Sequence, residues 1–214
     1  MKKRLSLSYI YYALSVMISW FFTSYCQLNN LQIILLNYIF TFLTIIPICL
    51  WNKKILNKSF FCFNFLIGLN SLVVLWIFFT DFAPLQDGLA LFIIALINIA
   101  FAEEIIFRGI YYSSFLKFYS SIKATLFTSL LFTGIHIPKL LAQHEDLRIA
   151  LIWIFFASLL LCLIFYLSHN LLLTTTIHFF INYFQFTNIF VLIFILNLVY
   201  LFIKHNVLLR KEKS

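Results

Sequence analysis

The chain has 214 residues, of which 64% are hydrophobic and only 10% charged, and its mean hydropathy is +1.02. No soluble domain needs that much apolar content to fill a core, so the composition excludes a soluble enzyme and predicts a polytopic membrane protein. A net charge of +8 does not imply nucleic acid, because the basic residues form short clusters between apolar runs, where an anionic inner leaflet accounts for them.

From the N-terminus, MKKRLSLSYIYYALSVMISWFF starts like a signal peptide. Its apolar stretch is span-length and no small-residue cleavage site follows, which predicts a retained first helix. Apolar runs then predict spans near residues 8–26, 31–51 and 60–79, three N-terminal helices within residues 1–87. The core, residues 88–214, continues with spans near 89–115, 122–142, 148–168, 169–187 and 189–205 and a short basic tail. At roughly 20 residues per span, the expected fold class is all-α: a polytopic membrane helical bundle of about eight transmembrane helices, one membrane domain overall. Between the sixth and seventh spans only SHN at 168–170 interrupts the apolar run. Gly and Pro number 4 and 3, too few to suggest the paired broken helices of secondary transporters. Cys26, Cys49, Cys62 and Cys162 show no C-x-x-C spacing, so neither a disulfide framework nor a zinc knuckle is indicated.

The distribution of charge tests this parse independently. With the N-terminus inside, the cytoplasmic side receives Lys2, Lys3, Arg4, Lys53, Lys54, Lys58, Lys117, Lys123, Lys204, Arg210, Lys211 and Lys213. The opposite side receives Lys139 and Arg148, together with Asp81, Asp87, Glu145 and Asp146. Both termini are therefore expected to be cytoplasmic.

Glu103, Glu104, Arg108, His136 and His178 remain at membrane depth. A charge at a helix centre costs about 2.5–3.5 kcal/mol on insertion scales, so each needs a reason to be there. Glu104 and Arg108 are four apart and share a helical face, which predicts an ion pair; Glu103 is turned about 100° away. An unpaired carboxylate in a low-dielectric site suits a general base, whereas all three charges in one network would merely lock helices together. His136 lies in LLFTGIHIPK and His178 in TTIHFFINY, with Asn182 four residues later on the same face. One membrane histidine is usually a hydrogen-bonded packing residue. Two of them, with an Asn and an unpaired Glu near the middle of neighbouring spans, point to a polar site. His144, His169 and His205 fall at loops or span ends, and the chain contains neither H-E-x-x-H nor G-x-S-x-G, which argues against a conventional zincin or a serine hydrolase.

The ordered set EExxxR, FxxxH and HxxxN resembles the CAAX protease and bacteriocin-processing enzyme (CPBP, or Abi) family, whose eukaryotic member is the type II CAAX prenyl endopeptidase. The motifs fall on Glu103, Glu104 and Arg108, on Phe132 and His136, and on His178 and Asn182, and the resemblance covers roughly residues 88–198. It implies an intramembrane endopeptidase in which Glu103 and His136 activate a water while His178 and Asn182 stabilise the oxyanion, in keeping with the strength of fixed donors in a dry cavity. Catalysis without a metal is favoured; the alternative is zinc on Glu103, His136 and His178 with an open position. The expected partner is a hydrophobic, lipidated or membrane-associated peptide, in contact with membrane lipids and without nucleic acid, and the expected location is a bacterial plasma membrane. Competing readings are a bacteriocin immunity or membrane scaffold protein that binds a peptide without hydrolysing it, and a proton-coupled carrier, because buried Glu and His also build proton relays.

Overall fold

A computed structural model describes residues 2–26, 30–56, 58–61, 67, 68, 70, 72, 100–142, 146–184 and 195–203. Among these residues every regular element is helical and no strand occurs. Helix α1 spans Lys2–Tyr25 and α2 spans Asn30–Trp51, followed by a 3-10 turn at Lys58–Phe61. Helix α3 is built of three pieces: an α-turn at Ala102–Glu104, a π-helical stretch at Ile105–Tyr112 and an α-turn at Ser113–Phe115. Helices α4, Ser121–Ala142, α5, Leu147–Ser168, and α6, Leu171–Phe184, follow, and residues 195–203 are helical. Most of the expected span at 60–79, the start of the one at 89–115, and the start of the one at 189–205 lie outside the described residues.

The surface is apolar where a soluble protein would be polar. On α5, Ile149, Ile152, Trp153 and Phe156 point outward and are more than half exposed, while Ser158, Leu161 and Cys162 are fully buried. Polar atoms turned inward and bulky hydrocarbon turned outward suit a bilayer, in which lipid rather than water covers the outer face. Among the described helices, Ser121–Leu141 and Leu147–Ser168 are long and apolar enough to cross one. The described residues are thus all-helical in their regular structure, and their apolar exterior and span-length helices are those of a membrane protein.

At residues 168–170 the expected break is present, and local chemistry explains it. His169 takes a left-handed conformation, φ 48°, and closes α5 through its N–H to the Phe165 carbonyl at 2.7 Å. Among non-glycine residues, His is one of those that enter this region more readily. Asn170 then caps α6, its Oδ1 accepting from the Leu173 N–H at 3.0 Å, which satisfies a donor that the first helical turn would leave bare. Two short spans can therefore be joined with almost no loop.

Helix α1 packs on the core through tyrosines whose hydroxyls find backbone acceptors. Tyr9 donates to the Leu131 carbonyl at 3.2 Å and Tyr111 donates to the Leu5 carbonyl at 3.1 Å. Asn52, buried after the end of α2, donates to Ser8 Oγ at 3.0 Å and so ties α2 to α1. Helices α4 and α5 form the most extensive pair. A second apolar cluster, with Leu161, Ile164, Leu173 and Ile177 at its centre, joins α5 to α6. Beside it, Asn70 and Asn197 exchange two amide hydrogen bonds of 3.1 Å, a reciprocal pairing that removes the cost of burying both amides. These contacts bring α3, α4, α5 and α6 together around one buried polar cluster.

Candidate functional site

Helix α3 carries both carboxylates into the interior: Glu104 and Arg108 are 0% exposed, while the Glu103 side chain is 10% exposed. Arg108 Nη1 donates to Glu104 Oε1 at 2.8 Å, so the expected ion pair is formed. Its guanidinium is held on the other side by α5, where Nη2 donates to Ser158 Oγ at 2.8 Å and to the Ser158 carbonyl at 3.2 Å. The Phe132 ring from α4 lies 4.8 Å from the guanidinium carbon, within cation–π range. A buried guanidinium thus meets a carboxylate, a hydroxyl, a carbonyl and a ring face, the kind of enclosure that makes its burial tolerable.

Glu104 does more than the helical spacing indicates. The same Oε1 accepts from His178 Nδ1 at 2.7 Å, so one carboxylate oxygen joins Arg108 on α3 to His178 on α6. With its Nδ1–H committed to Glu104, His178 directs Nε2 toward Glu103, whose Oε2 lies 3.6 Å away. His136 repeats the pattern from α4. Its Nδ1 donates to the Phe132 carbonyl at 2.8 Å, and its Nε2 faces Glu103 Oε1 at 3.9 Å. Both rings are therefore oriented through Nδ1, a fixing of tautomer and direction by the far nitrogen that is common where imidazoles act. Phe132 also packs against both rings, with centroids 4.7 Å from His136 and 5.7 Å from His178.

Glu104 Oε2 and Arg108 Nε are buried without a hydrogen-bond partner in the protein, and so is Glu103 Oε2. The separations of Glu103 from the two Nε2 atoms exceed direct hydrogen-bond length. A water about 2.8 Å from a Glu103 oxygen and from the facing imidazole nitrogen fits separations of this size.

The backbone of α3 differs from the α-helix on which the spacing argument rests. From Ile105 to Tyr112 it is π-helical, ending with the Ser113 N–H bonded to the Arg108 carbonyl five residues earlier. Such wide turns are rare and concentrate at functional sites. Here the π stretch carries Gly109, where a Cβ would stand 2.9 Å from Leu56 Cδ2 and 3.1 Å from Leu171 Cδ1. The bare glycine lets the start of α6 close against α3, which seats His178 against Glu104. On α4, Pro138 lies two residues after His136 and cannot donate to the Gly134 carbonyl, which loosens the helix on the turn that bears the histidine.

Six of the seven residues singled out in the sequence are brought together: Glu103, Glu104, Arg108, Phe132, His136 and His178. Asn182, one turn beyond His178, is exposed, and no hydrogen bond ties it to Glu103, His136 or His178. Ser158 was not singled out, although a serine within the apolar run FFASLLLC is a polar group at membrane depth. Among the described residues no group of three or more His, Cys, Asp or Glu side chains is arranged to hold a metal ion.

The class of protein these features define is a helical membrane protein with a buried carboxylate–imidazole cluster shared among four helices. Residues 85–184, which contain every residue of the cluster, match the family model for type II CAAX prenyl endopeptidase Rce1-like proteins. Over that segment the chain is similar to the CAAX protease family, and the match supports membership of it. That is a protease family, so the match supports a hydrolase. No curated protein and no solved structure matches the chain.

Proposed function

We propose that the chain is an intramembrane endopeptidase that hydrolyses a peptide bond in a membrane-associated or lipidated peptide, with Glu103 as general base. The observation that carries this reading is the convergence of two imidazoles, each fixed through Nδ1, on a carboxylate with an unsatisfied buried oxygen. Glu103, with His136, takes a proton from a water as its oxygen forms a bond to the scissile carbonyl carbon. The carbonyl electron pair moves to oxygen, and the resulting oxyanion meets the His178 Nε2–H and the Asn182 amide. To donate there while its Nδ1–H is held by Glu104, His178 carries a second proton at Nε2 during this step. Collapse of the intermediate breaks the C–N bond, and the proton held by Glu103 passes to the leaving nitrogen. Fixed donors in a site of low dielectric stabilise such charge more strongly than water does.

No step of this reading passes through a metal; zinc on Glu103, His136 and His178 is the competing arrangement. The membrane setting proposed is a bacterial plasma membrane crossed by eight spans, with both termini cytoplasmic, as the placement of basic and acidic residues supports. Oligomeric state plays no part in the mechanism, since all the residues it uses belong to one chain.

Proteoliposomes holding the protein, given quenched-fluorescent peptides with and without a farnesyl group, test the proposal. Cleavage is expected in the wild type and after chelator dialysis, and is expected to disappear in Glu103→Ala and in His136→Ala. Unchanged cleavage in both variants refutes the assignment and leaves a peptide-binding, immunity-type role. Loss on chelation with recovery on adding zinc refutes the metal-free form.

A further inference from the structure

A cavity of about 350 Å³ lies away from the carboxylate–imidazole cluster, between α1, α3 and α4. Its walls include Ser6, Tyr9 and Ile10 of α1, Tyr111 and Phe115 of α3, and Leu131 of α4. Three tyrosines line it, Tyr9, Tyr111 and Tyr119, and the hydroxyls of the first two are spent on the Leu131 and Leu5 carbonyls. The wall offered to an occupant is therefore mostly rings and aliphatic chains. That volume suits a small ligand or a length of hydrocarbon chain.

Cations adjoin the wall residues along the chain. Arg4 precedes the wall residue Leu5, and Lys117 precedes the wall residue Phe118. Lys123 stands one turn before Phe127, whose ring packs against the wall residues Phe115 and Tyr119 at 6.1 and 5.2 Å. All three cations are exposed. The acidic residues among the described positions are Glu103 and Glu104, committed to the buried cluster, and Asp146, which caps the far helix α5. Nothing acidic among the described residues neutralises this end of the bundle.

We infer that the cavity is a seat for an anionic phospholipid of the inner leaflet, with an acyl chain between α1 and α3 and the phosphate among Arg4, Lys117 and Lys123. Charge complementarity selects this occupant: an apolar slot whose wall residues adjoin exposed cations, with no acidic residue beside them among the described residues, fits a hydrocarbon chain that ends in an anion, and a basic residue near an anionic leaflet contributes favourably to such binding. Tyr111, a wall of the seat, packs on Phe107 and Phe107 on Phe132, so the lipid would lie beside the aromatic packing that supports both histidines. The inference does not depend on the proposed proteolysis.

Native mass spectrometry of the purified chain, mixed with equal phosphatidylglycerol and phosphatidylcholine of the same acyl composition, tests it. One phosphatidylglycerol is expected to be retained in preference to phosphatidylcholine. Arg4→Gln with Lys117→Gln should lower that preference roughly tenfold, and Ile10→Trp should block retention of either lipid. Ile10 is 54% exposed, so filling the slot from there leaves the core intact; Ser6→Phe is a second way to fill it. Equal retention of the two lipids, or phosphatidylglycerol retention that survives both the charge variant and both filled-slot variants, would overturn the inference. Displacement of bound lipid by a farnesylated peptide, with no preference for an anionic headgroup, would also overturn it and make the cavity a groove for the peptide's own lipid.

Discussion

Glu104 Oε1 accepts hydrogen bonds from both Arg108 and His178, so the second glutamate of the motif positions the site rather than serving only as a counter-ion. Glu104→Gln keeps the shape of the side chain but removes the charge that faces the His178 Nδ1–H. Its kcat is expected to fall by about 10²-fold or more with KM little changed, since the loss falls on charge that develops in the transition state. Breaking the buried pair should also destabilise the fold by about 3–5 kcal/mol. Rates on the fluorogenic peptide together with thermal unfolding separate the two effects: a fall in stability with kcat unaltered would leave Glu104 a purely structural residue. Spacing alone made much of this cluster legible, because Glu103, Glu104 and Arg108 lie within two turns and their helical phase predicts which carboxylate pairs with the arginine. It could not reveal the bond from Glu104 to His178, residues 74 positions apart, or the grip of Ser158 on Arg108. Those contacts depend on how separate spans pack, and no local periodicity encodes that.

At the scale of the element, α3 combines a π stretch with a glycine at the point of closest approach. Gly109→Ala places a methyl group against the Cδ atoms of Leu56 and Leu171, so those side chains are expected to shift to make room. Overpacking of this kind typically costs about 1–3 kcal/mol, and here it should also lower activity, because Leu171 starts the helix that bears His178. The double variant Gly109→Ala with Leu171→Ala restores room on one side and should recover part of the lost activity. A thermal midpoint and rate in Gly109→Ala equal to those of the wild type would contradict this role for the glycine. Helix existence was legible from apolar run length, and the break at 168–170 from three polar residues. The π stretch was not, since hydrophobic periodicity reports which residues face inward and leaves open whether each N–H reaches four or five residues back.

Across the whole molecule, the apolar exterior and the inward-facing polar groups reflect one physical demand, that lipid meets only hydrocarbon. The same demand made the class legible from composition, and the asymmetry of Lys and Arg gives an orientation that can be checked. Single cysteines at Lys54 and Lys117 in a cysteine-free background should react with a membrane-impermeant thiol reagent only from the cytoplasmic side, and a cysteine at Asp146 only from the opposite side. Labelling of Lys117 and Asp146 positions from one side would break the eight-span arrangement. The lipid seat was not legible in the sequence, because its walls come from three helices and a linker whose proximity only packing creates.

The most direct test is the single-turnover cleavage rate of Glu103→Gln in proteoliposomes, measured beside the wild type on a peptide the wild type cleaves and at matched thermal stability. Loss of a general base is expected to slow cleavage by about 10²- to 10⁴-fold while peptide binding persists. A Glu103→Gln rate within a few-fold of the wild type would contradict the role of Glu103 as the group that activates water.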